Sequence, residues 1–216
     1  MDFLTYAIDS VPYLLNGLAF SVKLFCIVAV VGFPLSIIFA IIKTFGPRWA
    51  KAILNFYTWV FRGSPMLLQL CLAYYGLPEL GIILEPDTVI FTIFILSATA
   101  YETEVVRGGL ISIEKGQYEA CQALGMNFRQ TMLRVVIPQT IRKVLPPTCS
   151  EAIILFKDTS LVTAIAKFDL LRAAKNLAIK SARADAFVIA LFFYLLFASI
   201  LVFIFSRLEK RAKARA

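Results

Sequence analysis

Two stretches of this chain run on without a charge for longer than a helix of a soluble domain ordinarily would. Leu24–Ile42 contains nineteen uncharged residues and Ala186–Ser206 twenty-one. Nineteen residues make a helix of about 28 Å at roughly 1.5 Å per residue, close to the thickness of a bilayer's hydrocarbon core. Inside hydrocarbon each backbone N–H and C=O must be satisfied within the protein, so unbroken apolar runs of this length read as membrane-spanning helices. The expected class is therefore an all-α integral membrane protein. With 60% hydrophobic and 17% charged residues and a mean hydropathy of +0.80, the chain is too apolar for one or two soluble domains. The net charge of +8 sits at the ends of apolar runs rather than in one patch, which argues against nucleic acid as a partner. Histidine is absent, which removes haem ligation, histidine-based metal sites and histidine-dependent triads. Cys26, Cys71, Cys121 and Cys149 show no CxxC spacing and read as small packing residues without a disulfide. The start lacks a basic segment, so no cleavable signal peptide is expected.

The apolar runs and their punctuation predict five spans in a single domain covering 1–216, at about 13–42, 52–76, 88–110, 139–160 and 184–207. In the first, Lys23 snorkels or meets a neighbour and Pro34 introduces a kink. The second holds Arg62, Gly63 and Pro65, which read either as an unwound turn within the span or as a helix end near the interface. In the third, Glu104 and Arg107 lie three apart and can pair on one face, with Glu102 pointing elsewhere. The fourth starts at Gln139, is kinked by Pro146-Pro147 and carries Glu151 near its middle; 161–183 is amphipathic and mostly too polar to cross. Lys43, Arg48 and Lys51 follow the first span, and Arg207, Lys210, Arg211, Lys213 and Arg215 close the last. The positive-inside rule then places the C-terminus in the cytoplasm and the N-terminus and the acidic Leu77–Asp87 loop outside. One segment disagrees: Lys167, Arg172, Lys175, Lys180 and Arg183 would all lie outside.

Gly116–Pro138 is the longest polar, sharply punctuated stretch, and it reads helix, break, helix. Gln117–Leu124 forms two turns, ended by Gly125 in left-handed geometry. Asn127 is placed as an N-cap, with Gln130 three residues on as the partner of a capping box. Phe128, Met132, Val135 and Val136 then recur on one face, leaving Arg129, Gln130 and Arg134 on another, and Pro138 begins a new segment. From periodicity alone such a pair could equally lie flat against lipid headgroups.

The residues at particular positions add a resemblance. Glu119-Ala120-Cys121, Gly125, Val135, Ile137 and Pro138 resemble the EAA signature of binding-protein-dependent ABC transporter permeases, with Cys121, Val135 and Ile137 as size-conserving departures. Phe61-Arg62-Gly63-Ser64-Pro65, Gln69 and Tyr74-Tyr75-Gly76-Leu77-Pro78 are similar to a stretch of the polar amino acid permeases. Ala100-Tyr101, Glu104, Arg107-Gly108-Gly109, Lys115-Gly116-Gln117, Leu145-Pro146-Pro147 and Lys157-Asp158-Thr159-Ser160-Leu161 extend the likeness over nearly the whole chain. The resemblance implies the fold of a type I ABC importer permease, with a cytoplasmic coupling-helix pair at about 116–136. Glu119, Ala120, Cys121, Gly125 and Pro138 would couple it to a separate ATPase. It also implies an ABC ATPase dimer, a second permease subunit (a homodimer or a related chain), an extracytoplasmic amino-acid-binding protein and a bacterial inner membrane. The substrate would be a polar amino acid, moved by alternating access.

No GxxxxGK[ST] loop is present, so nucleotide hydrolysis is expected on a partner chain, with ATP and magnesium there and no cofactor or catalytic residue here. The candidates for the substrate path are the charges within the spans: Glu102, Glu104, Glu151, Lys157 and Asp158. Glu151 lies about 18 Å of helix past Gln139 and has no base three or four residues away, so a local ion pair does not account for it. A base on another span, such as Lys23 or Arg62, could pair with it; otherwise it faces the path and attracts an ammonium group, with Lys157 the complementary candidate for a carboxylate. The competing class is a secondary amino acid transporter, which calls for inverted repeats that this sequence does not display.

Overall fold

The computed structural model describes residues 3–213, and among them all regular structure is helical. The elements are α1 (Phe3–Phe45), α2 (Arg48–Gly63), α3 (Met66–Cys71), α4 (Leu77–Glu79), α5 (Pro86–Ile111), α6 (Lys115–Ala123), α7 (Phe128–Thr131), α8 (Ile137–Asp158), α9 (Leu170–Ser181) and α10 (Asp185–Lys213). π-helical turns cover Leu72–Gly76 and Met132–Val136, and a 3-10 stretch covers Thr159–Ile165. Arg215 lies outside the described residues.

Helix α1 is the spine. It packs along α5 for much of its length, and α5 in turn packs on α8. It begins at Phe3, ten residues before the expected start, and continues through Pro12 and Pro34. The extension is stabilised by tertiary contacts rather than by apolar sequence. Tyr6, Ser10, Leu14, Gly17 and Ser21 form a buried face against α9. Tyr6 Oη shares a hydrogen bond with Ser181 Oγ at 3.1 Å, and Asn176 Nδ2 donates to Tyr13 Oη at 3.1 Å. A Cβ on Gly17 would fall 2.5 Å from the carbonyl oxygen of Asp169, so only glycine lets the α9 N-terminus approach this closely.

Three helices are long and apolar enough to cross a membrane by length and composition: Phe3–Phe45, Pro86–Ile111 and Asp185–Ala212. Helix α10 exposes Phe187, Leu191, Phe192, Leu195, Val202 and Phe203 to the surroundings, as a helix against lipid does. The other two expected spans are of different character. The second is divided into α2 and α3, and α8 carries Arg142, Lys143, Glu151, Lys157 and Asp158.

Pro138 does not begin a new segment. The chain passes from α7 through the π turn into α8 without a break, and the N–H of Ile137 bonds to the carbonyl of Met132. A proline within a helix lacks one N–H and its ring clashes with the carbonyl four residues back. Widening the preceding turn relieves that clash, and the same device recurs where Leu72–Gly76 precedes Pro78. The coupling pair is therefore one free-standing helix, α6, and one helix continuous with α8.

Candidate functional site

At one end of the bundle α6 and α7 pack against the end of α1, where Phe45 meets Tyr118 and Phe128. The N–H of Leu124 donates to Ala120 O in the last turn, and Gly125 then takes a φ of +70° to reverse the chain. Asn127 Oδ1 accepts the N–H of Gln130 at 2.9 Å while Gln130 Oε1 accepts the N–H of Asn127 at 2.9 Å, a complete capping box. Glu119, Ala120, Gln122, Ala123, Leu124 and Gly125 are exposed, Cys121 faces inward, and Pro138 is half-buried in the continuous helix. Met132 and Val136 are buried with Leu110 and Ile113, whereas Arg129 and Arg134 are exposed. Gln139 Nε2 donates to Gln117 Oε1 at 3.0 Å and Lys143 Nζ to Ser112 O at 2.7 Å, tying α6 and its approach to the foot of α8.

Farther along the same helices lies a cavity of about 770 Å³. Glu102 from α5 and Glu151 and Asp158 from α8 line it, with Tyr101, Thr148 and the Ser64–Leu67 stretch. Among the described residues that line it there is no lysine or arginine. Glu102 is buried, and Thr148 Oγ1 donates to its Oε1 at 2.5 Å. Apart from Ser97, the remaining lining is apolar, from Phe25, Val28, Ile154 and Leu201 among others. Lys157 is exposed and does not itself line the cavity, although it adjoins Asp158 in the chain.

Glu104 belongs to a different group. It is ion-paired with Lys43 and, at 2.7 Å, with Arg107, while Lys43 Nζ also donates to Thr58 Oγ1 at 2.6 Å. Glu104, Lys43 and Thr58, with Arg62, Trp59 and Tyr101, border an open groove of about 440 Å³. Tyr101 borders both spaces, and the Arg62 guanidinium lies over its ring at 5.5 Å.

Residues 32–214 match the family described as the binding-protein-dependent transport system inner membrane component. The chain belongs to that family. This permease is 34% identical over 219 residues to the arginine transport system permease protein ArtQ of Bacillus subtilis, covering 99% of this chain and 98% of that one. It is 30% identical to the glutamine transport system permease protein GlnP of Escherichia coli K12, covering 94% of each. The crystal structure of an amino acid ABC transporter with histidines superimposes with a TM-score of 0.88 at 29% identity, covering 98% of this chain and 99% of that chain. An inward-facing MetNI methionine ABC transporter shares the fold at 16% identity, with a TM-score of 0.69 over 94% of this chain and 95% of the other. The likeness to these transporters over full length makes the fold that of a type I ABC importer permease, and the family sets aside a secondary transporter.

In this permease the polar neighbours of the carboxylates carry no sequence signal for that role. Thr148 and Ser64 are common residues with no periodic signal, and only the close packing of α5 on α8 brings Thr148 to Glu102. Arg62 was conspicuous as a charge beside a helix breaker, but its position above Tyr101 depends on how α2 meets α5.

Proposed function

We propose that this chain is the membrane subunit of an ATP-driven importer of cationic amino acids, and that the cavity is its substrate station. The observation that carries the reading is three carboxylates, Glu102, Glu151 and Asp158, around one space with no cation in its lining among the described residues. Such a lining attracts a guanidinium or ammonium group and repels a carboxylate. The α-carboxylate then points to the rim, where Arg62 stands over Tyr101. Glu104, already neutralised by Lys43 and Arg107, serves as a structural tie, and Lys157 has no part in the station. ArtQ, a relative along the whole chain, is named for arginine, which supports the same class.

In this reading the chain crosses the bacterial inner membrane five times, with α2 and α3 together forming one crossing and the C-terminus in the cytoplasm. Two permease subunits enclose the path, a dimeric ATPase that holds ATP and magnesium docks on α6, and an external binding protein delivers the amino acid. Outward placement of the 161–183 segment is supported by local neutralisation of part of its charge, on either side of α9. Lys167 pairs with Asp87, and Arg183 pairs with Asp185 and lies over the Tyr6 ring.

The test is uptake and direct binding with the assembled complex in proteoliposomes, using arginine, lysine, glutamine and glutamate. Glu151→Gln keeps volume and removes the charge. A charge-assisted contact is worth about 1.5–3 kcal/mol, so arginine affinity should fall roughly 10- to 150-fold while glutamine changes little. Equal effects on all four amino acids, or none, would show that Glu151 does not read charge.

A further inference from the structure

The second membrane segment is interrupted where it walls the cavity, and interrupted backbone in a membrane leaves carbonyls that must find donors. Helix α2 ends at Gly63, and Ser64 (φ −122°, ψ 149°) and Pro65 (φ −61°, ψ 132°) are extended before α3 begins. The donors come from three side chains. Ser64 Oγ donates back to Val60 O at 2.8 Å, and Tyr101 Oη reaches Arg62 O at 3.4 Å. Gln69 Nε2 supplies the rest: it donates to Phe61 O at 2.9 Å and to Ser64 O at 3.0 Å, and lies 2.9 Å from Ser64 Oγ. Reversed, the amide would set its oxygen against two carbonyl oxygens, so the nitrogen must face the break. Its Oε1 is buried without a hydrogen-bond partner among the described residues, which leaves the bridging as the amide's whole contribution.

We propose that Gln69 is the positioning residue of the substrate station. It bridges the last turn of α2 to the extended Ser64, and so holds the Ser64–Leu67 wall against the cavity and Arg62 at its rim. Gln69 does not line the cavity itself and acts through the backbone it holds. A side chain without the donor would leave two carbonyls of the break without a partner, and the wall would re-form as another turn or sag toward the cavity. The inference rests on the cavity being the substrate station.

The experiment uses the full complex with its ATPase and binding protein in proteoliposomes, with arginine, lysine, glutamine and glutamate as probes. The unmodified complex is measured first. The amino acid that binds most tightly decides the cationic reading and serves as the probe for the variants, so the two readings fail separately. Gln69→Met keeps the length without a donor, and Gln69→Glu replaces the donor with acceptors. Both should raise the half-saturating concentration for amino-acid-stimulated ATP hydrolysis about 10-fold, which corresponds to ~1.4 kcal/mol, while the maximal rate and co-purification with the ATPase hold. Tyr101→Phe, which removes the single long bond to Arg62 O, should shift the same concentration less. Unchanged half-saturation in both Gln69 variants would overturn the proposal. So would loss of maximal rate or assembly in both, which would make Gln69 a general structural residue. Failure of all four amino acids to bind the unmodified complex would overturn the station and this inference together.

Discussion

The sharpest test of how the cavity communicates with the coupling end is Gly109→Ala. Gly109 sits on α5 two helical turns from Glu102, at the crossing with α8. A Cβ there would lie 3.0 Å from Thr140 Cγ2 and closer still to Val144 Cγ1. Val144 is buried and β-branched, so its χ1 has little freedom to turn away. The space around it, lined by Val106, Leu110, Ile137 and Ile141, amounts to only about 10 Å³. The two helices must therefore separate, and overpacking of this kind costs about 1–3 kcal/mol. For a chain of this size that corresponds to roughly 2–4 °C in the unfolding midpoint per kcal/mol. Separation should also lengthen the Thr148–Glu102 hydrogen bond, one turn beyond Val144 on α8, so uptake should fall along with stability. The assay is thermal unfolding of the purified complex together with amino acid uptake, in Gly109→Ala, Val144→Ala and the double variant. Val144→Ala deletes the colliding methyl and should restore part of both quantities, with a coupling energy of about 0.5–3 kcal/mol in the cycle. Strict additivity of the two substitutions, or an unmodified midpoint for Gly109→Ala, would refute the argument from close packing.

Gly125→Val and Glu119→Lys should each abolish uptake and association with the ATPase at unchanged membrane abundance. The first places a β-branched residue where φ is +70°, a strain of about 1–2 kcal/mol or more, and the second reverses an exposed charge on α6. Uptake at the unmodified rate in both would remove the coupling role from this end of the bundle. Asn127→Ala removes one half of the capping box and should cost about 1 kcal/mol. Hydrogen exchange at Gln130 and Thr131 should then quicken about 5-fold relative to unmodified protein, and unchanged exchange would mean that packing of Met132 and Val136 alone holds α7.

What the sequence determined by itself is what neighbouring residues decide among themselves. Gly125, Asn127 and Gln130 lie within six residues, and the turn and capping box they form need no other part of the chain. The long uncharged runs likewise require helices, because hydrocarbon offers no other partner for the backbone. The Glu104–Arg107 pair follows from a spacing of three on one helix. Tertiary structure decided everything that needed two elements at once. Lys43 reaches Glu104 only because α1 packs along α5, and that second cation neutralises Glu104 away from the cavity that Glu102 lines. The start of α1 at Phe3 depends on α9, and the continuity of α8 through Pro138 depends on a widened turn that composition does not announce. Glu102, Glu151 and Asp158 are spread over fifty-seven positions of chain and meet only where α5 crosses α8. The physical reason is one of range. Capping, strain at a positive φ and exclusion of charge from lipid act over a few residues, whereas a cavity is the space that distant helices leave between them once their close-packed faces have been satisfied.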